Sequence, residues 1–170
     1  MSIVKAALFL LLSGNATYFV LSGNTSKAID ACAWLTLLML FMIETSFGRY
    51  LTSAAMTRTL RVIRLLAGAG VFAATAGYVF ENNRLDAANS VLWILVVVFL
   101  ELQVRISRLN ERYRRTFVFL ATGLYIGLGV LVVLWAAQGM WFDAYDALLW
   151  LAAFAAIELT VIKPHHVRKV

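Results

Sequence analysis

Six long apolar stretches recur along this chain, and they constrain its fold more than any other feature. They lie near residues 6–22, 29–48, 62–80, 87–104, 116–137 and 142–162. Each has about 17–22 residues, close to the length that a helix needs to cross the hydrocarbon of a bilayer. Since 62% of the residues are hydrophobic and only 14% are charged, a soluble domain of this size would leave much apolar surface in water. The pattern predicts an all-α integral membrane protein with six transmembrane helices.

The lysines and arginines are distributed unevenly between the two sides that six such helices define. Only Lys27 and Arg84 lie on one side. Thirteen lie on the other: Lys5, Arg49, Arg58, Arg61, Arg64, Arg105, Arg108, Arg112, Arg114, Arg115, Lys163, Arg168 and Lys169. Because the side richer in Lys and Arg faces the cytoplasm, we expect both termini to be cytoplasmic, in a bacterial inner membrane.

The first apolar stretch allows a second interpretation. Lys5 followed by an apolar run is typical of a secretory signal peptide. No small-residue cleavage motif is evident after that run, and this favours a first transmembrane helix.

An internal repeat is the most specific pattern in the sequence. Residues 85–104 and 142–161 align without a gap at a spacing of 57, and seven of their twenty positions are identical. The identities include Asp86/Asp143, Trp93/Trp150 and Glu101/Glu158. Residues 29–44 follow a similar scheme with one residue fewer between Asp30 and Glu44. We therefore expect one transmembrane domain of three repeated helical hairpins, with these bounds: about 1–48, 58–105 and 115–163, then a basic cytoplasmic tail at 164–170.

An aspartate stands near the start of each even-numbered helix in this scheme. We expect Asp30, Asp86 and Asp143 to lie at helix N-termini, on the outer side of the membrane. A carboxylate at that position accepts hydrogen bonds from free backbone N–H groups and complements the helix dipole. These residues are therefore predicted to have a structural role.

A glutamate follows each of these aspartates by fourteen or fifteen residues, which is roughly 21–23 Å of helix. Glu44, Glu101 and Glu158 would then lie just inside the inner boundary of the hydrocarbon. An ionisable residue at that depth is a candidate for ion or proton handling. The alternative is a structural ion pair with a nearby cation, in the pairs Glu44–Arg49, Glu101–Arg105 and Glu158–Lys163.

Two arginine-rich segments lie on the predicted cytoplasmic side. The candidate contacts with anionic headgroups or with a partner protein are Arg58, Arg61, Arg64, Arg105, Arg108, Arg112, Arg114 and Arg115. Each contact between such a residue and an anionic lipid contributes on the order of 1 kcal/mol. The position of these arginines beside apolar helices argues against binding to nucleic acid.

The sequence holds no pattern typical of an enzyme, a metal site or a cofactor site. His165 and His166 follow Pro164 in the predicted tail, so no transmembrane histidine is available to ligate haem or to act as a general base. The single cysteine, Cys32, excludes an intramolecular disulfide and a multi-cysteine metal centre. We therefore predict a protein that is not an enzyme and carries no cofactor or metal.

Two functions remain open at this point. The first is a small transport or channel protein that conducts a proton or cation past the three glutamates. The second is a non-catalytic scaffold or accessory subunit of a larger membrane complex, or of a homo-oligomer. Few polar residues lie within the predicted spans, and a site for a sugar or an amino acid needs several converging polar groups.

Overall fold

The computed structural model describes the backbone of residues 3–47, 53–105 and 107–161, and the side chains of residues 3–45, 53–102 and 116–156. Its helices are α1 (Ile3–Leu21), α2 (Thr25–Phe47), α3 (Ala54–Phe80), α4 (Arg84–Arg105), α5 (Ser107–Ala137) and α6 (Trp141–Val161). The described residues include no strand. Five helices, α1 to α5, contain a stretch that is long and apolar enough to cross a membrane. The predicted all-α class with six helices is thus confirmed.

The basic segments that precede α3 and α5 are more helical than the apolar pattern predicts. Hydropathy alone places the starts of these helices near residues 62 and 116, whereas α3 begins at Ala54 and α5 at Ser107. Arginine is among the better helix formers, and neither segment contains proline. At 1.5 Å per residue, the 27 residues of α3 extend about 40 Å, which exceeds the hydrocarbon thickness.

The start of α2 differs from the sequence prediction. The Oδ1 atom of Asn24 accepts a hydrogen bond from the backbone N–H of Lys27 at 2.9 Å, so Asn24 caps the helix. No acidic residue lies in the first turn, since α2 begins at Thr25, five residues before Asp30. The prediction that Asp30 lies at a helix N-terminus is therefore wrong.

The starts of α4 and α6 agree with the sequence prediction, because Asp86 and Asp143 each lie in a first turn. In α4 the cap itself is Asn83, whose Oδ1 accepts a hydrogen bond from the backbone N–H of Asp86 at 3.4 Å. The Nδ2 of Asn83 donates in return to the carboxylate of Asp86. The two side chains thus satisfy each other in the manner of a capping box.

The turns after α1, α3 and α5 share one backbone feature. Gly23, Asn82 and Gly139 adopt positive φ values of 77°, 58° and 76°. In the second and third turns the N–H group that follows this residue bonds a carbonyl five residues earlier, at 2.9 Å. A left-handed residue with this hydrogen bond ends many helices, because it satisfies a carbonyl of the last turn.

Each helix buries one narrow stripe and exposes large apolar side chains elsewhere. The buried stripe of α1 is Leu12, Asn15, Ala16 and Phe19, and that of α6 is mainly alanine. By contrast Leu21, Phe80 and Phe119 are about four-fifths exposed or more, at 80%, 89% and 78%. Exposed apolar patches of this extent mark surfaces that are covered in use. With helices of these lengths, the pattern indicates insertion into a membrane.

The described chain divides into two compact units, residues 1–71 with 146–170 and residues 72–145. In the first unit α1 packs along α2. The rings of Trp34 in α2 and Trp150 in α6 meet edge to face, with centroids 6.4 Å apart. At Gly70 of α3, an added β-carbon would lie 3.2 Å from Cβ of Ala33. Small residues therefore bring α2 and α3 close together.

The second unit is built around an antiparallel pair, α4 and α5. The rings of Phe99 and Phe117 lie 5.1 Å apart between their centroids. Farther along the same interface, a β-carbon added to Gly127 would lie 3.3 Å from Cδ1 of Leu92. As the position rises along α4 from 92 to 99, it falls along α5 from 127 to 117, so the two helices run in opposite directions.

Candidate functional site

Glu44 lies in the last turn of α2 and is held by an arginine from the next helix. Its Oε1 accepts a hydrogen bond from Nη2 of Arg64 at 2.5 Å, and the two groups form an ion pair between α2 and α3. The side chains are 38% and 50% exposed, respectively. The pairing with Arg49 that sequence spacing suggests lies outside the described residues. Arg64, which the sequence predicts to contact lipid or a partner, also has an internal contact with Glu44, and its predicted outer contact stays a prediction.

The other two glutamates are described less fully. Glu101 lies near the end of α4, with an exposed side chain. The backbone of Glu158 belongs to α6, but its side chain lies outside the described part of the chain. The same holds for the side chains of Arg105, Arg108, Arg112, Arg114 and Arg115 and for all of Lys163. The ion-handling role of Glu101 and Glu158 stays a prediction.

Arg58 and Arg61 lie in the first turns of α3, about two turns and one turn before Arg64 respectively. Both side chains are exposed. The spacing of three residues places all three arginines toward one side of the helix. This arrangement forms a basic start to α3, next to the exposed apolar residues Leu65 and Leu66.

A partly buried hydrogen bond in the first unit joins α1 to α6. The Nδ2 of Asn15 donates to Oδ1 of Asp146 at 2.7 Å. Asn15 is buried at 7% exposure, within the buried stripe of α1. An amide–carboxylate bond of this length is charge-assisted when the carboxylate is ionised, and such bonds are stronger than neutral ones. A half-buried carboxyl group is therefore held between α1 and α6 by a buried amide.

The tryptophan contact between α2 and α6 places a second carboxyl group near this bond. Asp30 and Asp146 each precede one of the contacting residues, Trp34 and Trp150, by four positions. Residues four apart lie on the same face of a helix, one turn from each other. The Oδ1 atom of Asp30 is shielded from solvent. Asp30, Asn15 and Asp146, which we call the carboxylate cluster, thus border the Trp34–Trp150 contact.

A second polar contact lies in the other unit, where the hydroxyls of Thr75 in α3 and Ser90 in α4 are 2.6 Å apart. Ser90 is fully buried, at 0% exposure. Each hydroxyl can donate or accept, so one of them donates to the other across the α3–α4 contact. The interior of both units is therefore more polar than composition indicates.

Sequence reasoning missed Asp30 and Asp146 as site residues. It assigned Asp30 to a cap and did not single out Asp146, because only Asp143 occupies the repeated position. The signal was present: a carboxylate one turn before a tryptophan occurs in both α2 and α6. Asn15, the hydrogen-bond partner of Asp146, lies 131 residues from it in the chain, and sequence spacing does not reveal a contact over that distance.

Among the residues that the structure describes, no three His, Cys, Asp or Glu side chains are placed to hold a metal ion. His165 and His166 lie outside the described residues, and Cys32 is an exposed free thiol. Comparison with protein-family models, curated proteins and solved structures finds no match. Fold and site together define a class, a helical protein with several helices that are long and apolar enough to span a membrane and with half-buried carboxyl groups between them.

Proposed function

We propose that this protein is a small multi-pass transport or channel protein that conducts a proton or a cation across the membrane. The observation that carries the proposal is the hydrogen bond between Asn15 and Asp146. Ionisable groups inside apolar helices are costly, and they commonly mark ion or proton routes. A scaffold needs no such group in its interior, whereas a route needs at least one that binds the ion or the proton.

The carboxylate cluster has the chemistry for this task. A carboxylate can take up a proton or donate its oxygens to a cation. Asn15 holds Oδ1 of Asp146 in place by its amide, and we propose that this fixed carboxylate is the group that binds the proton or the cation. Because Asp30 and Asp146 border the same aromatic contact, we infer that a bound proton or cation is shared between them.

The glutamates near the C-terminal ends of α2, α4 and α6 would act on the inner side of the route, at its inner mouth. Glu101 is exposed, while Glu44 is bonded to Arg64. We propose that the Glu44–Arg64 ion pair controls entry at the inner mouth, because its dissociation frees the carboxylate of Glu44 to bind an entering cation. Glu158 takes the equivalent place on α6 in this proposal.

We also propose the three-hairpin repeat, with its three copies aligned on the turns that follow α1, α3 and α5. Gly23, Asn82 and Gly139, with their shared positive φ, are separated by 59 and 57 positions. In that register one buried tryptophan falls at the same place in each even-numbered helix: Trp34, Trp93 and Trp150. The counterpart of Asp86 in α2 is then Lys27 rather than Asp30.

The same register aligns the polar residues of the proposed route. Asp30, Asn89 and Asp146 become equivalent positions in α2, α4 and α6. Glu101 stays aligned with Glu158, while Glu44 lies two positions farther along its helix. The carboxylate cluster would therefore arise from the repeat itself, with one carboxamide in place of a carboxylate.

We further propose the orientation that the cation count favours, with both termini in the cytoplasm of a bacterial inner membrane. In that orientation the exposed Arg58 and Arg61 at the start of α3 meet the anionic headgroups of the inner leaflet. Each contributes on the order of 1 kcal/mol to that contact. The helix would thus be anchored at its basic end.

A flux assay tests the proposal. The purified protein is reconstituted in liposomes with a pH-sensitive dye inside, and proton or K⁺ flux is driven by an imposed gradient. We expect measurable flux for the wild type and at least tenfold less for Asp146→Asn, which keeps Oδ1 but cannot ionise. Asp143→Asn, one turn earlier on the same helix, is the matched control and should conduct normally. Glu101→Gln tests the inner mouth.

An absence of flux from folded, reconstituted wild type would contradict the proposal and favour the accessory-subunit alternative. Equal flux for Asp146→Asn and Asp143→Asn would remove the carboxylate cluster from the route. Loss of flux in Glu101→Gln alone would move the site to the glutamates.

A further inference from the structure

Two buried polar atoms of the second unit have no hydrogen-bond partner among the described residues. They are Oδ1 of Asn89 in α4 and Nε1 of Trp135 in α5. Trp135 is buried at 2% exposure. One atom is an acceptor and the other a donor. Leaving a buried polar group unpaired costs about 1–3 kcal/mol, and native proteins almost always pair such groups with protein or with ordered water.

Asn89 lies on the side of α4 that packs against α5. Leu92 and Phe99 of α4 both contact α5, and they lie three and ten positions beyond Asn89. Separations of three, seven and ten residues return to nearly the same face of a helix. The amide of Asn89 is therefore directed toward α5.

Trp135 belongs to the buried stripe of α5. Leu128 and Leu131, seven and four positions before it, are buried on the same face. This stripe adjoins Gly127, which contacts Leu92 of α4. The indole thus extends the α4–α5 interface beyond that contact, in the direction of Asn89.

The two side chains also lean toward each other along the helix axes. Measured along the helix axes from the Leu92–Gly127 contact, Asn89 lies three residues away in α4, which is about 4.5 Å. Trp135 lies eight residues away in α5, in the same direction, which is about 12 Å. Side chains of a helix point back toward its N-terminus. Because α4 and α5 are antiparallel, the indole and the amide converge across the remaining separation.

We propose that one buried water molecule bridges these side chains. The Nε1–H of Trp135 donates to the water oxygen, and the water donates to Oδ1 of Asn89. A water inside a protein needs two to four polar partners, which these two atoms begin to supply. Asn89 lies only five residues into α4, so the aqueous interface is near enough to provide the molecule. The site does not depend on the proposed transport function.

Nuclear magnetic resonance of the indole proton tests this bridge. The full chain is labelled with ¹⁵N at the tryptophan indoles and studied in lipid nanodiscs, with Trp135→Phe used to assign the signal. We expect a cross-peak between the Trp135 indole proton and water, although the side chain is buried. Trp141, which is 70% exposed, shows the behaviour of an indole in bulk water.

Three variants locate the water. Asn89→Leu removes the acceptor at similar volume and should abolish the cross-peak, while Asn89→Asp keeps Oδ1 and should retain it. Ser90→Ala removes the adjacent hydroxyl and should leave the cross-peak unchanged, which excludes relay through that group. If Asn89→Leu does not fold, as judged by circular dichroism, the wild-type signal and the other two variants still test whether a water molecule bridges Trp135 and Asn89.

The opposite results are equally clear. A wild type without the water cross-peak overturns the proposal, as does a cross-peak that persists at full intensity in Asn89→Leu. A strongly hydrogen-bonded indole shift without any water cross-peak would mean that Trp135 bonds directly to Asn89. That outcome also overturns the proposal.

Discussion

At the residue scale, the hydrogen bond between Asn15 and Asp146 joins α1 to α6 in the first unit. Removing only the donor takes away the hydrogen bond that the half-buried carboxylate of Asp146 accepts from Asn15, whereas removing both partners leaves two apolar groups. We therefore expect Asn15→Leu, which keeps the volume, to lower the free energy of unfolding by about 1–3 kcal/mol. Denaturation in detergent micelles, followed by circular dichroism, measures this change.

The double variant Asn15→Leu with Asp146→Leu supplies the decisive comparison. Its loss of stability should be smaller than that of Asn15→Leu alone, because no unpaired polar group remains. Thr17→Ala on the same helix is the control, since Thr17 is exposed and its hydroxyl bonds the carbonyl of Ser13. If the single and double variants were equally destabilised, the hydrogen bond would not be the source of the effect.

The candidate site was predictable only in part from the sequence. The sequence predicts that Glu44 is an acidic residue near the end of an apolar helix. It does not predict its partner, Arg64, which lies in another helix, twenty residues away. The same limit applies to Asn15 and Asp146. Spacing along one helix identifies residues on a common face, whereas contacts between helices depend on how their faces meet.

At the scale of the elements, the close approach of α2 and α3 depends on two small residues. A β-carbon at Gly70 would meet Cβ of Ala33 at 3.2 Å, and that atom cannot move without its helix. We expect Gly70→Ala to destabilise the protein by about 1–3 kcal/mol through overpacking. The same unfolding measurement in micelles tests it.

Gly68 provides the matched control two positions earlier in α3. A β-carbon added there meets nothing within 4 Å. Gly68→Ala should therefore raise stability by up to about 1 kcal/mol, because alanine favours the helix more than glycine does. Equal effects of the two substitutions would contradict the role given to the Gly70–Ala33 contact.

The turns between helices allow a separate prediction about the backbone. Gly139 has open space around it but a φ of 76°, so Gly139→Ala should cost about 1–2 kcal/mol from the left-handed conformation alone. Asn82 adopts a φ of 58° in the corresponding turn, and Asn82→Gly should be neutral or slightly stabilising. Thermal unfolding compares both variants, and a stabilising Gly139→Ala would contradict this account.

Element boundaries show where hydropathy succeeds and where it fails. The end of α3, the start of α4, the end of α5 and the start of α6 were predicted closely, because Gly, Asn and a polar turn interrupt the apolar pattern there. The starts of α3 and α5 were placed too late, since a charged helix gives no apolar signal. Asp30 was misread because a carboxylate near a helix start resembles a cap, whereas Asn24 makes the cap itself.

At the scale of the whole molecule, the exposed apolar side chains and the uneven distribution of lysine and arginine both indicate a lipid bilayer as the surrounding solvent. Each unit buries narrow stripes in which small residues are common and exposes large apolar side chains. Packing between transmembrane helices needs small residues, because lipid chains are as apolar as leucine and supply no hydrophobic drive. The lysines and arginines, thirteen against two, then predict the direction of insertion.

Labelling of single cysteines in intact cells tests that direction. The only cysteine is replaced first (Cys32→Ser), and one cysteine is then introduced at Glu81 in the turn after α3 or at Thr57 in its basic first turns; both positions are exposed. We expect a membrane-impermeant maleimide to label Glu81→Cys in intact cells and Thr57→Cys only after permeabilisation. The Cys32→Ser background alone controls for other labelling. The reverse pattern would invert the topology and place the exposed arginines of α3 on the outer side, away from the anionic inner leaflet that their charge fits.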